Sequence, residues 1–213
     1  MKKVPTKAPA KTPQHDKRPH EVRIIGGQWK RTRLPVADKP GLRPTPDRVR
    51  ETLFNWLASL AGAGGGELPG WHCLDAFAGT GALGLEAASR GAAAVLLCEQ
   101  DADLIAQLQK AKAKLSADAV RIERGNGVTA LERVPAGSLH LVLLDPPFEN
   151  PALYEPALRA AARALHPDGA VYLEAPRLWT DDELAAFGLA GLRHLKAGAV
   201  HAHLLRPLVH APA

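Results

Sequence analysis

From Trp71 to about Arg206 the chain alternates short apolar runs with amphipathic stretches, and this alternation limits the possible folds more than any other feature. Strands are predicted at 71–76, 93–99, 119–124, 139–145, 169–175, 190–196 and 199–206. Helices are predicted between them at 82–90, 101–116, 127–133, 151–166 and 181–187. Strand–helix alternation demands right-handed crossovers and a mostly parallel sheet covered on both faces. The Lys-Ala-Gly link between the last two strands is too short for a crossover, so they should pair as an antiparallel hairpin. In such α/β sheets ligands gather beyond the carboxyl ends of the strands, where the strand order reverses.

The region before Trp71 reads differently. Residues 1–21 are rich in Lys and Pro with little to bury, a composition that predicts a disordered basic tail. Residues 22–66 hold two short β-favouring runs around Gly26-Gly27, readable as a hairpin with its arginines outward, and then an amphipathic helix. That helix takes Thr45 as N-cap and Pro46 in its first turn, with Val49, Leu53, Trp56, Leu57 and Leu60 at helical spacing, and stops near the glycines at 62–66. Residues 67–207 form the α/β domain and 208–213 a short tail. The first 50 residues carry 14 Lys/Arg against 4 Asp/Glu, whereas the rest of the chain carries 13 against 18. The positive field is thus confined to one end, which favours a polyanionic partner such as nucleic acid. No apolar run reaches the roughly 20 residues of a membrane span. A cytoplasmic protein is expected. Cys73 and Cys98 lie in apolar strand-like runs as free thiols, no ligand spacing suggests a metal, and His201 and His203 alternate along a half-exposed strand.

Three stretches carry chemistry. "CLDAFAGTGALGLEAASRG" is a strand, a glycine-rich turn and a helix in succession, in which Gly79 and Gly81 let the backbone approach a ligand closely. Gly79, Gly81 and Gly84 also satisfy the dinucleotide fingerprint, with Glu99 spaced 20 residues on, so an NAD-dependent oxidoreductase stays open at this point. Asp75 argues against it: a carboxylate ahead of the turn repels a pyrophosphate and attracts an amino group. Glu99 is placed to accept from both hydroxyls of a ribose, and Asn126 in "RIERGNGVTAL" to bond an adenine edge, although Asn-Gly is also an ordinary turn.

The third stretch is "LLDPPFEN". An aromatic exocyclic amine is a weak nucleophile, because its lone pair is delocalised into the ring. An enzyme that alkylates one must hold the nitrogen pyramidal and accept the departing proton. Asp145 and the Pro146 carbonyl offer two acceptors for one amine, Pro146 and Pro147 stiffen the corner, and Phe148 offers a face for a flipped-out base. Hydride transfer gives no reason for such a corner. These features together favour S-adenosylmethionine over a nicotinamide cofactor.

In this order Asp75-x-Phe77-x-Gly79-x-Gly81, Glu99 and Asp145-Pro146-Pro147-Phe148 resemble the class I, S-adenosylmethionine-dependent amino-methyltransferases, a Rossmann-like fold with a seven-stranded mostly parallel sheet and an antiparallel last strand. The segment "RIIGGQWKRTRLPV…GLRPTPDRVRETLFNWL" is similar to the opening of the RsmD family, bacterial enzymes acting on guanine N2 (guanine 966) of 16S ribosomal RNA, and the likeness spans residues 22–206. The resemblance implies that Asp75, Phe77, Gly79, Gly81, Glu99 and Asn126 hold the cofactor, and that Asp145, Pro146, Pro147 and Phe148 hold the guanine. It implies phosphate contacts from Arg23, Lys30, Arg31, Arg33, Arg43 and Arg48, with Arg43 and Thr45 equally placed to close over the methionine end of the cofactor. A monomer acting on 16S rRNA, naked or in an assembled small-subunit particle, without metal or membrane, is the expectation. A methyltransferase of the same fold acting on DNA adenine or a protein amide is the nearest alternative.

Overall fold

The computed structural model describes residues 21–39, 42, 44–62 and 66–208. Arg43, most of the basic tail and residues 209–213 lie outside them.

A seven-stranded sheet has the order β5-β4-β3-β6-β7-β9-β8, built from β3 (His72–Asp75), β4 (Ala94–Glu99), β5 (Val120–Arg124), β6 (Leu139–Leu144), β7 (Leu165–Ala175), β8 (Leu189–Ala197) and β9 (Val200–Pro207). The strands β3 to β7 pair in parallel, and β9 inserts between β7 and β8, antiparallel to both. The chain starts in the middle at β3, steps outward through β4 and β5, and returns to β6 on the other side of β3. The carboxyl ends of β3 and β6 therefore flank the switch point, where a crevice opens.

Two apolar layers cover the sheet. On one face α1 (Asp47–Ala61), α2 (Ala82–Ser89) and α3 (Ala102–Leu115) pack over Cys73, Val95, Leu97, Leu141, Leu143 and Tyr172. On the other, α4 (Gly127–Arg133), α5 (Tyr154–Ala164) and α6 (Asp181–Ala185) pack over Leu74, Val142, Leu144, Val171 and Leu173. The alternation of these strand residues between faces follows from the two-residue period of a strand. Strand β7 begins four residues earlier than expected: Leu165 pairs with Leu139, and an irregularity between Leu139 and Leu141 absorbs the extra length.

The N-terminal hairpin pairs β1 (Glu21–Arg23) with β2 (Arg33–Pro35), antiparallel and with Arg23 and Arg33 outward. Gly26 and Gly27 are not its tight turn, since the connection runs from 24 to 32. They press on the end of α2: a Cβ on Gly27, at φ +71°, would stand 1.8 Å from the Ser89 carbonyl oxygen. Glu86 fixes this approach, its Oε2 accepting from Ile25 N–H and its Oε1 from Gly26 N–H, both at 2.7 Å. Arg90 Nε donates to the same Oε1 at 2.9 Å, and the fully buried Arg50 guanidinium lies 3.5 Å from Oε2. Val22, Ile24 and Leu34 join the α1–α3 core, so the hairpin is packed into the body of the molecule.

Three local expectations are corrected. Thr45 is not the N-cap of α1; Pro46 is, with no side-chain cap, because the Thr45 hydroxyl is spent on a buried carboxylate described below. Leu60 is exposed, and Phe54 takes its place in the buried face of the helix. His203 is likewise buried, not half-exposed: its Nε2 accepts from the Trp179 N–H at 3.1 Å. Cys73 and Cys98 are buried free thiols.

Candidate functional site

Register decides whether the sequence motifs meet. Asp75 is aligned with Leu97 of β4 and with Leu143 of β6, and Leu143 with Tyr172 of β7. Aligned residues of parallel strands share a face, and residues two apart along a strand share it too. Glu99, Asp145 and Glu174 thus fall on one face with Asp75 two residues behind them, at the ends of four adjacent strands, on the side covered by α1–α3. The glycine turn opens onto this same face, since Gly84 of α2 sits directly over Asp75 and Leu97. Four carboxylates and a glycine turn line one side of the crevice.

The turn is tied to its neighbours through backbone. Ala78 N–H donates to the Cys98 carbonyl at 2.9 Å, and Gly79 N–H donates to Glu99 Oε2 at 2.9 Å. Gly79 and Gly81 have φ of +52° and +79°, the left-handed region that a Cβ disfavours. Glu99 Oε1 accepts from Gln100 and Asp101 N–H, which holds the carboxylate rigidly at the strand end. Asp75 is almost wholly buried; its Oδ2 accepts from Gly84 N–H at 3.0 Å, while its Oδ1 has no partner among the described residues. Burial pushes its carboxyl up to about 7, with the charges of Glu99 and Glu174 adding to the effect. An orphaned buried oxygen in a negative pocket beside a glycine turn suits a ligand that brings an ammonium group.

Asn126 is the N-cap of α4, its Oδ1 accepting from Val128 and Thr129 N–H. The Asn-Gly pair is therefore a helix start rather than a hairpin turn. Gly127 is required because a Cβ there would lie 1.9 Å from the Ala76 carbonyl. The Asn126 side-chain amide remains for a ligand. Phe77 leans to the other side of the sheet, half-buried against the α4–α6 core.

At the double-proline corner Pro146 is buried, Pro147 exposed and Phe148 half-exposed. The Asp145 carboxylate is half-buried, and among the described residues no hydrogen bond reaches it. Desolvation, and then the charges of Glu174 and Asp75, hold its pKa well above the usual carboxylate range. Raising the pKa makes the ionised carboxylate a stronger proton acceptor than an ordinary exposed one.

Sequence reasoning missed three members of this site, Glu174, Tyr172 and Tyr154. Glu174 is 3% exposed, and its Oε1 accepts from the Thr45 hydroxyl at 2.6 Å and the Tyr172 hydroxyl at 2.8 Å. Tyr154, at the start of α5, buries a hydroxyl with no partner among the described residues, and the Asp145 charge helps to raise its pKa. For Glu174 a signal existed: in "AVYLEAP" a lone carboxylate interrupts an apolar run, just as Asp145 ends the run before it.

Of the basic residues, Arg23 and Arg33 are exposed but ion-paired with Asp47 and Glu21 at 2.6 and 3.0 Å. Lys30, Arg31 and Arg48 are exposed as well, so the outer surface of the hairpin and the start of α1 are cationic.

Comparison with known proteins bears on the fold and the family. The family model described as "Conserved hypothetical protein 95" matches residues 22–206. Ribosomal RNA small subunit methyltransferase D of Escherichia coli is 49% identical over 136 residues, 63% of this chain and 64% of its own length, so the match spans somewhat less than two thirds of that relative. The Haemophilus influenzae protein of the same name is 40% identical over 162 residues, 72% of this chain and 78% of its own. The solved structure of Escherichia coli yhhF superposes with a TM-score of 0.72 at 36% identity, over 89% of this chain and 99% of that one. The chain belongs to the family described as "Conserved hypothetical protein 95", that of the RsmD-type methyltransferases.

Proposed function

We propose that this chain transfers a methyl group from S-adenosylmethionine to the exocyclic N2 amine of a guanine in small-subunit ribosomal RNA. The observation that carries the reading is the set of carboxylates: Asp75, Glu99 and Asp145 end adjacent strands on the face where the glycine turn opens. Guanine 966 of 16S rRNA is the position that the resemblance implies.

The residues present fit the cofactor. The unpartnered Asp75 Oδ1 would take its amino group, Glu99 the ribose hydroxyls, the Asn126 amide the adenine edge, and Gly79 and Gly81 leave room for its passage. When bound, S-adenosylmethionine supplies an electrophilic methyl on a positively charged sulfur. The protein's part is to prepare the amine. Asp145 and the Pro146 carbonyl accept its two N–H hydrogens and turn its lone pair toward the cofactor side of the crevice, and Asp145 then receives the proton released. Phe148, half-exposed beside them, supports the flipped base by stacking. Lys30, Arg31, Arg48 and Arg43 on the residue 22–66 extension would hold flanking phosphates, giving an affinity that falls steeply with salt. The related proteins' names support ribosomal RNA as substrate. Among the described residues no helix is long and apolar enough to cross a membrane, and we place the reaction in the cytoplasm, with a monomer acting on rRNA or its small-subunit particle.

The test is Asp145→Ala. Its turnover on small-subunit rRNA should fall by about 10²–10⁴-fold, the usual worth of a positioned proton acceptor, while calorimetric affinity for S-adenosylmethionine stays within about threefold. Undiminished N2-methylguanine in mass-mapped rRNA from that variant would remove the role assigned to the corner.

A further inference from the structure

Glu174 has no assigned part in the reaction, yet it ends β7 one register step beyond the pair Leu144–Leu173, beside Asp145 at the end of β6. Neighbouring strands run about 4.8 Å apart, so the two carboxylates stand side by side on the same face of the crevice. They are held differently. Asp145 has no hydrogen-bond partner among the described residues. Glu174 is tethered through Oε1 alone, by Thr45 and Tyr172, and a carboxylate oxygen can only accept, so both hydroxyls donate to it. Its Oε2 receives no hydrogen bond among the described residues and stays outside the tether. Burial raises its pKa above the ordinary carboxylate value, while the Thr45 and Tyr172 hydroxyls and then the Arg50 charge work in the other direction.

The reacting edge of guanine presents two adjacent donors, the exocyclic N2 amine and the ring N1–H. Adenine presents an amine beside a ring nitrogen that bears a lone pair. Two side-by-side acceptors match the first edge and repel the second. We propose that Glu174 is a specificity-determining residue of the base pocket, its Oε2 accepting the N1–H of guanine while Asp145 accepts the N2 amine. This rests on the guanine-N2 reading above and extends it: Asp145 serves the transfer, and Glu174 chooses the base. The tether supplies the needed rigidity, since a carboxylate fixed by two hydroxyls cannot turn away to suit an adenine. A site that hydrogen-bonds a polar group rejects an analogue lacking it strongly, because its own buried group is then left unpaired.

The experiment uses the full chain and small-subunit particles reconstituted with rRNA whose target guanine is replaced by 2-aminopurine. That base keeps the N2 amine and carries a lone pair at N1. Wild-type protein should lose about a hundredfold in kcat/KM on the replacement. In Glu174→Gln the two hydroxyls keep the amide carbonyl on their side, which turns the NH₂ toward the base. Methylation of guanine should then fall by about tenfold or more and that of 2-aminopurine should rise, bringing the two within about threefold. Calorimetric binding of S-adenosylmethionine, unchanged in the variant, reports that it is folded. Equal loss on both bases, with the wild-type preference kept, would make Glu174 structural only and overturn the proposal. Should the variant not fold, the wild-type protein alone decides: activity on 2-aminopurine within threefold of guanine overturns it, and Tyr172→Phe, which releases one tether, should erode the preference severalfold. Failure of the underlying reading looks different, because wild-type protein would then leave no N2-methylguanine in native rRNA.

Discussion

Two clusters of buried charge lie on the same face of this sheet, and they are built to opposite rules. Behind the hairpin, Glu86 accepts from two backbone amides and from Arg90 and faces Arg50, so that both its oxygens are satisfied and only Arg50 Nη1, 3.5 Å away, lacks a hydrogen bond among the described residues. At the strand ends, Asp75 keeps an orphaned oxygen, Asp145 has no hydrogen bond among the described residues, and Glu174 is held by one oxygen only. The first cluster mixes signs in direct pairs; in the second, acids dominate and a cation, Arg50, acts on Glu174 from behind Thr45. A satisfied buried network fixes a structure, whereas unpaired like charges destabilise the free protein and persist where a ligand completes them. The contrast separates scaffold from site without reference to any motif.

It can be broken by deleting a member of each cluster. The largest effect is expected for Glu86→Ala, which leaves Arg90 buried without a counter-charge, leaves Arg50 paired with Asp47 alone, and strips two amides of their acceptor. Removing one partner of a buried pair costs about 3–5 kcal/mol, read as a lower midpoint in urea unfolding. The loss should be accompanied by exposure of the hairpin to proteolysis, because Ile25 and Gly26 are held by that carboxylate. A smaller loss, about 1–3 kcal/mol, is expected for Gly27→Ala from its positive φ, with the contact on Ser89 adding to it, and the thermal midpoint measures it. If either substitution were silent, the hairpin would not be part of the packed body.

The architecture was legible in the sequence because it rests on periodicity. Seven strands and all six helices of the main sheet and its extension fall within a few residues of the pattern, and the glycine turn and the Asp145 corner land at strand ends as their apolar runs require. What the sequence did not reveal depends on contacts between distant segments. Thr45 looks like a helix cap until β7 brings Glu174 to its hydroxyl across 129 positions. Gly26-Gly27 looks like a turn until α2 is seen to press upon it. Arg50 and Glu86 look like solvated helix charges, since nothing in a helical wheel announces that the hairpin covers them. Local pattern specifies elements; the partners of polar groups are specified only once the elements are packed.

The most discriminating effect, small at any one pH step, is the pH dependence contributed by Asp75. Its carboxyl is held up at about 7 by burial, while in the unfolded chain it would ionise near its ordinary value of 3.8. Between those two values the folded protein holds a proton that the unfolded chain has released, so raising the pH through this window favours unfolding. The slope is at most about 1.4 kcal/mol per pH unit for one proton, and it ends once the pH passes about 7 and both states are ionised. Asp75→Asn has no such proton. Its stability relative to the wild-type chain should therefore rise steadily from pH 4 to pH 7 in paired urea titrations, while its affinity for S-adenosylmethionine falls. A hairpin-clamp variant such as Glu86→Ala should show neither the gain nor that slope. If Asp75→Asn instead lost stability at every pH, Asp75 would belong with the satisfied scaffold charges, and the division between the two clusters would have to be drawn without it.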